Sequence, residues 1–116
     1  MEVNKLTLLE HEDYTKVFDA LSHPMRIKIA GILAQEKKYV SELAKLMQMS
    51  RPLLYMHLKK LEDASLVTSS YEISDSGKTM KYYKLKSFSI QLAPDLLMML
   101  SSKIPHMVNK KDLNQG

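Results

Sequence analysis

Arg51, Tyr55 and Lys59 stand four residues apart in the run S-R-P-L-L-Y-M-H-L-K-K-L-E-D-A-S-L, residues 50–66. On a helix this spacing gathers a guanidinium, a phenol and an ammonium toward one side, with Pro52 and Met56 among them. The first three turns hold no acid. An ordinary exposed face is laced with Glu and Lys pairs, whereas cations and large side chains, led by the positive end of the helix dipole, suit a polyanion's groove. Arg51 has the fork for a bidentate contact to guanine, and Tyr55 suits a phosphate or a thymine methyl. Met56 can read little except such a methyl. Ser50 is a good N-cap that can also touch a phosphate, and Pro52 lies in the first turn, where a missing N–H is no loss.

Such a helix must be held from behind. Leu54, Leu58 and Leu61 recur at i, i+4 and i+7, a stripe built for burial. Upstream, Val40 to Met47 reads as a short helix with Ser41 as its cap, and only Gln48-Met49 separates the two. Two short helices joined so tightly make a helix-turn-helix whose second member is the reading helix. Downstream, Leu66–Ile73 and Lys78–Leu85 read as strands around the turn Ser74-Asp75-Ser76-Gly77, so residues 66–86 form a hairpin. Its return strand carries Lys78, Lys81, Lys84 and Lys86 with no acid among them. With Lys45 and Lys60, Lys78 and Lys81 are the expected phosphate contacts, which position without specifying. For any one lysine a solvated charge is the plainer alternative. Tyr39-Val40 offers a short strand against the hairpin.

The flanks supply a frame. Tyr14, Val17, Phe18 and Leu21 fall at i, i+3, i+4 and i+7, and Pro24 starts a second helix with Met25, Ile29, Ile32 and Leu33 inward. Gly31 inside that helix reads as a close approach by another element. Residues 93–104 form a last helix in which Leu96, Leu97, Met98, Met99 and Leu100 are consecutive and wrap more than one face. One face can pack on its own domain; the other asks for a second subunit. Residues 1–13 read as an N-terminal arm, 14–104 as the domain, and 105–116 as a disordered polar tail.

The run S-E-L-A-K-L-M-Q-M-S-R-P-L-L-Y-M-H-L-K-K-L, preceded by H-P-M-R and followed by Y-Y-K-L, resembles the ArsR-type winged helix-turn-helix regulators over about residues 14–86. The resemblance implies a mainly α fold with a small β-hairpin, a three-helical core plus wing, and terminal dimerisation helices. It implies a homodimer that binds double-stranded DNA at a pseudo-palindromic operator, most simply as a repressor. The seam would involve Tyr14, Val17, Phe18, Leu96, Leu97, Met99 and Leu100. His57 occupies the His of the family's H-L-x-x-L pattern and is expected to be packed; His23 and Arg26 look structural. Ser65 stands where the family usually has Gly, at a cost of about 1 kcal/mol if the backbone there is left-handed.

Composition sets the bounds. The 116 residues make one domain of ordinary apolar content, 45%, with a net charge of +4. Residues 26–86 hold twelve Lys or Arg against six Asp or Glu, so positive charge gathers where the helix-turn-helix lies. No Cys is present, which excludes disulfides and thiolate metal sites. Metal-sensing relatives use Cys or terminal-helix His and Asp pairs, so neither a metal nor a cofactor is expected. His11 among Glu10, Glu12 and Asp13 is a poor cation site, because sequence neighbours diverge on a helix. No leader or 18-residue apolar run appears, and a cytoplasmic protein without membrane association is expected. No Gly-rich phosphate loop, G-x-S-x-G elbow or Cys nucleophile is found, and no enzyme is expected. The nine methionines read as adaptable core filler, with a Met-lined pocket for a small-molecule effector left open. A second class of function also stays open: a winged helix used as a protein-interaction module, with Tyr55 and Met56 meeting another protein.

Overall fold

A computed structural model describes residues 11–105, so the arm's Leu6, Leu8 and Leu9, together with the tail from 106 on, lie outside the described residues. Five helices and three strands follow in the order α1 (His11–Ala20), α2 (Pro24–Gln35), β1 (Lys38–Tyr39), α3 (Val40–Met47), α4 (Arg51–Asp63), β2 (Val67–Ile73), β3 (Thr79–Leu85) and α5 (Pro94–Lys103). The architecture is mainly α with a small antiparallel sheet, a winged helix-turn-helix, as expected.

The hub is α4, which packs against α1, α2, α3 and β2. Its Leu54, Leu58 and Leu61 are fully buried and meet Val17 and Ala20 of α1, Ile29 and Leu33 of α2, and Val40, Leu43 and Met47 of α3 in one core. Leu66, Val67 and Tyr83 close that core from the sheet side. Burying these side chains supplies the main stabilisation, at about 25 cal/mol per Å² of apolar surface. Met25, expected inward, is exposed, because α2 turns mainly Ile29 and Leu33 to the core.

The sheet has the order β1-β3-β2. In the hairpin, Val67 pairs with Leu85 and Ile73 with Thr79, while β1 places Lys38 opposite Tyr83 and Tyr39 opposite Tyr82. The short strand therefore forms, one residue earlier than Tyr39-Val40. Val67, Tyr71 and Ile73 share one side as their alternation requires, yet only Val67 is buried; Ile73 is 75% exposed because the hairpin's outer half stands away from the body. Contacts further along the strands brace it instead. Lys37 bridges Glu72 at 2.8 Å and lies 4.5 Å from the Tyr82 ring, and Tyr82 stacks on Tyr39 with centroids 4.1 Å apart.

Helix ends explain the tight turns. Gln48 ends α3 in the left-handed conformation (φ 56°), and the Met49 N–H returns to the Ala44 carbonyl at 3.1 Å. Past α4, Ser65 does the same (φ 61°), with the Leu66 N–H on the Leu61 carbonyl at 2.9 Å. Both close carbonyls that a helix end would otherwise leave open. Ser41 does not cap α3: the helix starts at Val40, and Glu42 reaches back to the Tyr39 N–H at 2.9 Å. Gly31 marks no close approach either, since a Cβ there would meet nothing within 4 Å.

Candidate nucleic-acid interface

Two devices fix the reading helix. At its start, Ser50 accepts the Leu53 N–H on its hydroxyl at 3.3 Å, in the expected N-cap role. On its inner side, His57 is only 3% exposed and takes a contact of 3.3 Å from Arg26 Nη1 to its Nδ1. Arg26 also donates from Nε to the Ala20 carbonyl at 2.7 Å, and His23 caps α2 by accepting the Met25 N–H while its ring meets His57 edge-on at 4.8 Å. One small polar cluster thus ties the end of α1, the start of α2 and the middle of α4. Burial, then the charges of His23 and Arg26, hold the His57 pKa below the ordinary imidazole value. His57 is therefore neutral, with Nδ1 as acceptor, and acts as packing.

The outer side then follows from helix geometry. With Leu54, His57, Leu58 and Leu61 buried, the residues opposite are Pro52, Met56, Lys59 and Asp63, and Met56 is 57% exposed. Arg51 and Tyr55 form the flank beside the wing. Leu53 is also exposed, a residue the buried-stripe pattern did not single out.

Charge accounting sorts the cations. Lys59 pairs with Asp63 one turn on, at 3.1 Å, and Lys60 with Asp19 of α1, at 3.5 Å. Both pairs are exposed and of little strength, but each sets the side chain's resting direction. Lys60 points toward α1, away from the wing. Arg51, Lys45 and Lys78 are exposed with no ion pair among the described residues. Lys81 is different: its ammonium lies 5.7, 5.7 and 5.2 Å from the rings of Tyr55, Tyr71 and Tyr83. Tyr71 is its cross-strand partner and Tyr83 its same-face neighbour, so Lys81 links wing to reading helix through Tyr55. A hydrogen bond with Tyr83 raises the Lys81 pKa and keeps it charged.

Between wing and helix lies a half-open cleft of about 370 Å³. Arg51, Lys78 and Lys81 line it with the hydroxyl-bearing Tyr39, Ser41, Tyr55 and Thr79, and no carboxylate does. Tyr39, Ser41 and Thr79 were not foreseen. Thr79 follows Lys78 in the hairpin, but Tyr39 and Ser41 meet it only because β1 pairs with β3 across more than forty residues, which no local pattern announces.

The expected seam residues divide. Val17 is 2% exposed and Leu100 is buried within this chain, Tyr14, Phe18 and Leu96 are half-buried, and Leu97 and Met99 are exposed at 53% and 42%. Leu92, Met98 and Ile104 are exposed apolar residues in and beside the same helix. Among the described residues no group of three or more His, Cys, Asp or Glu could hold a metal ion, and no helix is long and apolar enough to cross a membrane.

Known proteins share this fold. The family model for bacterial regulatory proteins of the arsR family matches residues 23–69, from the His of α2's cap into the wing. The chain is 41% identical over 85 residues to an uncharacterized HTH-type transcriptional regulator of Methanocaldococcus jannaschii, covering 73% of this chain and 88% of that protein. Its fold is similar to HlyU from Vibrio cholerae (TM-score 0.57, 20% identity, 78% of this chain and 87% of that one). It is equally similar to the homodimeric winged helix-turn-helix DNA-binding domain of a possible ArsR-family regulator from Mycobacterium bovis (TM-score 0.57, 22% identity, 78% and 74%). The chain belongs to the ArsR family and is a transcriptional regulator with a winged helix-turn-helix DNA-binding domain, not an enzyme.

Proposed function

We propose that the protein works in the cytoplasm as a homodimeric repressor, placing two copies of α4 in successive major grooves of a pseudo-palindromic operator about 34 Å apart. The observation that carries this reading is α4 itself, capped by Ser50, buried on Leu54, His57, Leu58 and Leu61, and otherwise uncovered. Pro52, Tyr55, Met56 and Lys59 meet base edges. Lys45, Lys60, Lys78 and Lys81 stand over backbone on either side. Repression follows from occlusion of a promoter by the bound dimer. The apolar surface of α5 supports the dimer: Leu97 and Met99, with Met98 70% exposed, have nothing to cover them among the described residues. Tyr14 and Phe18, rings 6.3 Å apart on α1, supply the facing half of the seam, with Leu96 beside them.

Footprinting on the DNA upstream of the protein's own gene tests this. Two protected blocks one helical turn apart, on one side of the duplex, are expected. A single block, or none, contradicts the dimeric operator reading.

The exposed Leu46, Leu53, Tyr55 and Met56 favour a second reading, in which the same face meets a protein. Binding to that face that is indifferent to salt, with no affinity for duplex DNA, distinguishes it.

A further inference from the structure

Arg51 and Tyr55 are i and i+4 on α4, on the flank that turns to the wing, whereas Pro52, Met56 and Lys59 run down its outermost line. A side chain on that flank meets whatever passes between helix and wing before it meets a base edge. What can pass there is set by charge. The cleft has three cations from two separate elements and no carboxylate in its lining, so it selects an anion. It is half-open, so a polymer can run through it. Among the described residues Arg51 and Lys78 have no acid of their own to answer, unlike Lys59 and Lys60, which rest on Asp63 and Asp19.

We propose that this cleft is the seat of a DNA backbone phosphate, gripped by Arg51 from α4 and by Lys78 and Lys81 from the wing, so that Arg51 positions the reading helix and does not read a guanine. This rests on the DNA-binding reading above. The Lys81 ammonium, held among Tyr55, Tyr71 and Tyr83, fixes the width of the cleft before DNA arrives. Sequence discrimination then falls on the outermost line, Pro52, Met56 and Lys59, of which only Lys59 offers a polar group.

The test compares wild type with Arg51→Gln, Lys81→Gln and Met56→Ala on the upstream duplex and on a scrambled one, from roughly 50 to 200 mM salt. Arg51→Gln is expected to weaken both duplexes by a similar factor, roughly fivefold to tenfold, and to lower the slope of log K against log salt by about 0.9 per subunit. Lys81→Gln should behave alike; if it unfolds the wing, Lys78→Gln takes its place. Met56→Ala is expected to narrow the preference for the upstream duplex and leave the slope alone. The proposal is overturned if Arg51→Gln abolishes that preference at unchanged slope, which makes Arg51 a base reader, or if it changes neither affinity. Inorganic phosphate, followed through the amide signals of Ser41, Arg51 and Lys78, separates the sources of the anion. Saturable binding of phosphate by a protein that ignores both duplexes would reassign the cleft to a free phosphorylated ligand. If wild type ignores both duplexes and phosphate alike, the DNA-binding reading itself has failed.

Discussion

At the residue scale, two left-handed positions govern how sharply the chain turns into and out of α4. Neither Gln48 nor Ser65 is a glycine, though both have φ near 60°. A side chain there carries strain that glycine does not. Gln48→Gly and Ser65→Gly are each expected to raise stability, by about 0.5 to 1 kcal/mol, in urea unfolding. Ser65 was legible because it occupies the place where related chains carry Gly; Gln48 was not, since nothing in Gln-Met announces a left-handed residue. His57 makes a second residue-level prediction. Its pKa is depressed in the fold, so above pH 6.5 both folded and unfolded states hold it neutral and nothing is lost. Below 6.5 the unfolded chain takes up a proton that the folded one refuses. Stability therefore falls as pH drops through that value and below it. Thermal melting at stepwise lower pH should show this decline, and a His57→Phe protein should lose the part of it due to this ring. Its burial was foreseeable from its place beside the leucine stripe. Its contact with Arg26 was not, because the two are 31 residues apart.

At the element scale, α2 contains a glycine for which the described residues give no structural reason. Gly31 reads as a packing contact in sequence, yet its Cβ position is open, so Gly31→Ala should strengthen the helix by roughly 1 kcal/mol in the same unfolding assay. A loss instead would show that a partner's backbone lies against it. The helix-turn-helix was the most legible unit. Periodicity gave α3 and α4, and Ser50 gave the start of α4, because those signals are local. The start of α3 was legible but its cap was not: the helix is already under way at Val40, so Ser41 lies inside the first turn, and Glu42 reaches back to the Tyr39 N–H. The wing's strands were legible from alternation and a turn with Gly77, which has φ 85°. Its tilt off the body, and so the cleft against Arg51, depends on the pairing of β1 with β3 and on Lys37 bridging Glu72. Such long-range contacts leave no periodic trace.

At the scale of the molecule, α1 and α5 carry two kinds of apolar residue that sequence alone could not separate. Val17 and Leu100 are covered, while Leu97, Met98 and Met99 are not covered by any of the described residues. Val17→Ala is thus expected to weaken folding by roughly 2 kcal/mol. Leu97→Glu should leave the fold melting normally but shift the mass in sedimentation from dimer to monomer and weaken operator binding at least tenfold. A monomeric wild type would remove the operator geometry proposed here. The central claim is that the uncovered side of α4 and its cleft meet DNA, and the salt dependence of wild-type binding tests it most directly. Between roughly 50 and 200 mM salt, affinity for the upstream duplex should fall by at least a hundredfold and stay above that for the scrambled duplex throughout. Absence of binding to either duplex at the low end, or an affinity that ignores salt, would contradict it.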